Sequence, residues 1–141
     1  MTQRDRLTAR CLCGACTFTA TPVTMTASVC HCETCRRWAG GALFSVDCGN
    51  TLVPAIGTPA VGYHSSALME RFSCGRCGAP LFRVAGGRQY AVMMAFDDPG
   101  AFAFDLQVFT DEKPRNYDFA NDTVYLTGPE ALAMLAANEK A

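Results

Sequence analysis

The chain has 141 residues, half of them hydrophobic and 18% charged, with a formal net charge of −1 and a pI near 6.1. This length suits one domain, so a single domain over residues 1–141 is expected; the apolar fraction excludes a disordered tail protein, and the near-neutral charge argues against a nucleic-acid binder driven by phosphate neutralisation. Apolar runs such as residues 91–96 fall far short of the roughly 18 residues of a spanning helix, and the start, residues 1–10, carries Arg4, Asp5, Arg6 and Arg10 rather than the apolar stretch of a secretory leader. A cytoplasmic protein with no membrane partner is therefore expected.

In chain order, residues 15–20 and 24–29 are rich in Thr, Val and Phe around Pro22 and predict a hairpin. Residues 33–39 predict a short helical turn. Short strands are expected at 42–47, 51–53, 60–63, 70–72 and 80–84, punctuated by Gly49-Asn50, Pro54, Gly57, Pro59 and Gly86-Gly87. Residues 89–96 and 102–109 are the strongest late strands, split by the turn Asp97-Asp98-Pro99-Gly100. Only residues 129–139 have the composition of a proper helix, entered through Gly128-Pro129-Glu130. The expected fold is mainly β, made of short antiparallel strands with a short C-terminal helix, without internal repeat or linker.

Nine cysteines in a chain without an export signal point to metal ligands rather than a disulfide framework, and nine is odd. They fall at Cys11, Cys13 and Cys16, at Cys30, Cys32 and Cys35, at Cys48, and at Cys74 and Cys77. Scattered core thiols do not explain such two- and three-residue spacings. Cys74-Gly75-Arg76-Cys77-Gly78 places two thiolates on one tight turn, with glycines that let the backbone fold beneath a metal. Closing a tetrahedron needs two more sulfurs. Cys11 and Cys13, at i and i+2 of an extended segment, can supply them from one side, and so can Cys13 with Cys16. Spacing leaves both partitions open; either gives a closed, structural site.

Cys30-His31-Cys32-Glu33-Thr34-Cys35 offers three thiols within six residues. Three protein ligands with a fourth position left open is the arrangement of a catalytic zinc; a closed site would take its fourth ligand from Cys16, Cys48, His31 or His64. His31, lying between two ligands, points away from their metal. Cys16 and Cys48 read as small buried hydrophobes, and His64 as a solvent-exposed or turn residue. Three thiolates make zinc a weak Lewis acid towards water but a good partner for an incoming thiol, whose pKa it lowers. Arg36 and Arg37 follow directly, and arginines grip carboxylates bidentately, which makes them candidate substrate-binding residues.

The set Cys11-Leu12-Cys13-Gly14, Cys30-His31-Cys32-Glu33-Thr34-Cys35-Arg36-Arg37, Ser65-Ser66, Glu70 to Gly78 and Asp97-Asp98-Pro99 resembles the glutathione-dependent formaldehyde-activating enzyme family, also called the centromere-protein-V/GFA domain. The likeness runs from about residue 7 to 115. It implies a β-tent fold with two zincs per chain: a structural one on Cys11, Cys13, Cys74 and Cys77, which favours Cys11 over Cys16, and an open catalytic one on Cys30, Cys32 and Cys35. The implied activity is that of a carbon–sulfur lyase, condensing a thiol such as glutathione with an aldehyde such as formaldehyde. The chain departs from the family pattern near its end, with Gln107 at the usual His position and Tyr117 where Trp is expected, so its substrate can differ. The rival readings are a non-catalytic zinc module that docks a protein partner, and a zinc–thiol redox sensor.

Overall fold

A computed structural model describes residues 5–139; the first four residues of the chain start considered above lie outside the described residues. The described residues form two compact units, one made of those up to Met25 together with Ser45–Phe102, the other of Thr26–Phe44 and those from Ala103 onward. Among the described residues no helix is long and apolar enough to cross a membrane.

The first unit holds two antiparallel sheets. β1 (Leu7–Arg10), β2 (Thr17–Ala20) and β5 (Val53–Pro54) form one, with β2 central. The last residues of β4 (Leu43–Asp47) pair with β9 (Arg88–Val92) in the other, followed by β8 (Pro80–Ala85), β7 (Met69–Cys74) and β6 (Ala60–His64) at the edge. The core of this unit is aromatic. Phe82 stacks on Phe72 at 4.7 Å between centroids and meets Phe18 edge-on at 5.6 Å, while Phe96 packs against Phe18 and Phe102. Phe82 is 5% exposed, so Phe82→Ala is expected to cost about 3–5 kcal/mol, the usual penalty for emptying a buried aromatic site, as read by denaturant unfolding.

The second unit is built on parallel pairing. β10 (Ala103–Val108) lies between β3 (Thr26–Cys30) and β11 (Val124–Leu126) and runs parallel to both. Parallel neighbours require long connections, and β3 and β10 are separated in sequence by the whole 45–102 segment. α1 (Glu33–Ala39) follows β3, and α2 (Gly128–Glu139) follows β11. Phe44, Phe104 and Phe119 form a mutual edge-on cluster with centroids 5.1–5.5 Å apart.

The mainly β fold with a C-terminal helix agrees with the sequence, and α1 spans the residues expected of it. The hairpin between residues 15–20 and 24–29 does not form: β2 pairs with β1 and β5, whereas β3 pairs with β10. The strand expected over 89–96 ends at Val92, because Met93–Ala95 tightens into a 3-10 turn and Phe96 makes a bridge to Ala9 instead.

Candidate metal centres

The first centre lies wholly in the first unit. Cys11 and Cys13 leave the end of β1, and a turn closed by the bond from Cys11 N–H to the Cys16 carbonyl holds them. Cys74 ends β7, and Cys77 follows in the turn, where Gly78 takes a φ of +79° and donates its N–H to the Cys74 carbonyl. All four sulfurs lie within 4.8 Å of one another, with Cys11 to Cys13 at 3.6 Å and Cys13 to Cys74 at 3.8 Å. A tetrahedron with zinc–sulfur bonds of about 2.3 Å has edges of about 3.8 Å, so the spacing fits that ion. The backbone N–H groups of Arg76 and Cys77 both point at Cys74 Sγ, each at 3.3 Å, and that of Cys16 points at Cys11 Sγ at 3.3 Å. Such donors favour thiolates: the Cys77 N–H holds the Cys74 thiol below its ordinary range, and the Ala79 N–H does the same for Cys77. Cys16, fully buried beside this set, stays outside it, and burial pushes its thiol up to about 12. Cys48 is likewise fully buried, its thiol raised to about 11 by burial.

Gly75 fixes the approach of this turn. A Cβ there would stand 2.8 Å from the Pro59 carbonyl oxygen, which already accepts the Gly75 N–H at 2.8 Å. Because backbone cannot swing aside as a flexible side chain can, Gly75→Ala is expected to destabilise the protein by about 1–3 kcal/mol, measurable as a lowered melting temperature of the metal-loaded chain.

The second centre lies wholly in the other unit. Cys30 closes β3, Cys32 is the N-cap of α1 with extended backbone, and Cys35 sits in its first turn. Their sulfurs also lie within 4.8 Å of one another, and no fourth His, Cys, Asp or Glu joins the set among the described residues. Cys32 Sγ accepts the Cys35 N–H at 3.4 Å and lies 3.2 Å from the Thr34 hydroxyl. Hydrogen bonds from the Cys30 and Cys35 thiols lower the Cys32 pKa, and the same sharing raises that of Cys30. Three sulfurs this close to one another form a donor set that a thiophilic cation would complete.

Around this cluster, Arg36 is half-buried and its Nε donates to the His31 carbonyl at 2.8 Å, whereas Arg37 makes an exposed pair with Glu33 at 2.9 Å. His31 is fully buried, its ring bonded to Tyr117 and Gln107, and burial lowers its pKa. His64 is exposed, 3.6 Å from Glu70, and joins neither cysteine set. Gln107 and Tyr117, which stand out in the sequence only as departures from the family pattern, meet at His31 in the structure, a contact between residues 76 and 86 positions apart that no local signal carries.

Residues 6–112 match the family described as glutathione-dependent formaldehyde-activating enzyme. The chain belongs to this family. A Schizosaccharomyces pombe relative named as an uncharacterized lyase is 37% identical over 127 residues, covering 86% of this chain and 91% of its own. A solved structure of a Rhodobacter sphaeroides protein is 17% identical with a TM-score of 0.55, covering 70% of this chain and 99% of that one; this likeness shows the fold alone. Family and relative together agree with an enzyme of the lyase class. The family match spans both cysteine sets, either of which could hold a metal ion.

Proposed function

We propose that the protein is a zinc-dependent carbon–sulfur lyase that joins a thiol such as glutathione to an aldehyde such as formaldehyde. The observation that carries this reading is the convergence of Cys30, Cys32 and Cys35 from one short segment, three sulfurs with no fourth protein donor beside them among the described residues. Zinc held by these three would supply a Lewis acid that lowers the pKa of a sulfur ligand, and the four-sulfur set would hold a second, structural zinc.

In the net reaction the thiol sulfur forms a bond to the carbonyl carbon, the carbonyl π bond breaks, and the thiol proton ends on the new hydroxyl oxygen. The chain's own part is to bind and orient. Arg36, anchored through Nε on the His31 carbonyl, keeps its two terminal nitrogens for a carboxylate of the thiol substrate. Arg37 is the weaker candidate, because its exposed pair with Glu33 exchanges readily with solvent. Burial of Cys30 and Cys35 keeps water from two of the three sulfurs, while Cys32 stands at the open side.

Native mass spectrometry with and without glutathione tests the reading. Two zincs and a glutathione adduct lost in Cys35→Ser are expected. Two zincs without an adduct would remove glutathione as the thiol, and a single zinc would overturn the mechanism.

A further inference from the structure

His31 lies between Cys30 and Cys32 and is fully buried, yet it belongs to neither candidate set of metal donors. Each of its polar groups has a partner. Its N–H donates to the Val108 carbonyl at 3.1 Å, and its carbonyl accepts Arg36 Nε at 2.8 Å. Gln107 Nε2 donates to the Thr123 hydroxyl at 3.0 Å, so Gln107 Oε1 is the acceptor facing the ring at 2.8 Å. His31 Nε2 therefore carries a hydrogen, and Nδ1 pairs with the Tyr117 hydroxyl at 2.8 Å. The ring also lies among Tyr117 and Phe119, with centroids at 5.6 and 6.0 Å.

Successive side chains of an extended segment point to opposite sides. A ring clamped on one side sends the sulfurs of its two neighbours to the other. We propose that His31 is the positioning residue of the three-cysteine centre: its ring, held between Gln107 and Tyr117, fixes the backbone that aims Cys30 and Cys32 at the point they share with Cys35. The proposal rests on reading this centre as a metal site. It goes beyond that reading by giving the affinity of the site to three residues that donate nothing to the metal. Losing such an outer support commonly weakens metal binding by about 10–100-fold.

Titration of the metal-free full chain with cobalt(II), followed by its sulfur-to-cobalt charge-transfer absorption, separates the possibilities. The parent chain takes up two equivalents, one of them lost in Cys35→Ser. In His31→Leu that same equivalent binds about 10–100-fold more weakly with an altered spectrum, while the other keeps its affinity. His31→Gln, which retains a side-chain N–H for Gln107, recovers part of the loss. Tyr117→Phe leaves the ring in place without one of its two partners and gives a smaller shift in the same direction; it decides the matter if His31→Leu does not fold. Parent-like affinity and spectrum in the variants, or equal weakening of both equivalents, overturns the proposal. A parent chain that binds only one equivalent overturns instead the metal reading on which it rests.

Discussion

Cys74→Ser is expected to release one equivalent of metal and to lower the melting temperature by about 10 °C or more. Cys74 Sγ is the hub of the four-sulfur set: it lies 3.8 Å from Cys13 Sγ and accepts the N–H groups of both Arg76 and Cys77. A serine oxygen is a poorer zinc ligand, and its shorter bond to carbon withdraws the acceptor from both N–H groups. The proposed metal joins the turn after β1 to the turn after β7, residues 61 positions apart in sequence. Since such a site does not exist in the unfolded chain, the free energy of metal binding is free energy of folding. Several kcal/mol is a large part of the roughly 5–15 kcal/mol that holds a typical domain together. Circular dichroism melting beside metal analysis checks this. Chelation of the parent chain should reproduce the loss, and a variant as heat-stable as the parent would remove the structural role from this centre.

The same centre shows what the sequence could and could not tell. The C-x-x-C-G turn is written in consecutive residues, and the structure forms it with Gly78 at positive φ. Which sulfurs complete the set was open on spacing, because Cys11 and Cys16 both lie within three residues of Cys13. The bond from Cys11 N–H to the Cys16 carbonyl folds the 11–16 loop so that Cys11 faces the other three, while Cys16 remains beside them in the core. That is a tertiary outcome with no trace in spacing. α1 was readable because its signals are local: Cys32 caps it, Glu33 favours its first turn, and Gly40 ends it at a φ of +76°. For α2 the start lies one residue before Gly128-Pro129, in the capping box of Thr127 and Glu130, each bonding the other's backbone N–H, which the T-x-x-E pattern carries. The parallel pairing of β3 with β10 was out of reach, since no periodicity within either strand names a partner more than 70 residues away. β1 is hard to read for a simpler reason: its four residues, Leu-Thr-Ala-Arg, alternate apolar and polar over too short a run to tell a strand from a loop.

Cys35→Ser should separate catalysis from folding. The sulfur is buried and one of three, so its loss removes a third of the donor set of the proposed catalytic centre. The local structure does not depend on it. α1 is capped by Cys32 Sγ, which accepts the backbone N–H of residue 35, a group the substitution leaves in place. The four-sulfur set, formed from other residues in the other unit, is untouched. Turnover of thiol with aldehyde is therefore expected to fall about a thousandfold or more, equivalent to at least about 4 kcal/mol of barrier, while one metal equivalent and most of the melting temperature remain. Stopped assays of the hydroxymethyl thiol product, paired with circular dichroism, read both quantities on one preparation. Loss of folding together with activity would make the second centre structural like the first, and the chain a stable zinc-bearing scaffold whose chemistry lies elsewhere. Retained folding with lost turnover would locate the carbon–sulfur step at the three-cysteine cluster. The contrast with Cys74→Ser then follows from geometry: four mutually close sulfurs leave no ligand position open, whereas three from one short segment leave one side free for a substrate sulfur.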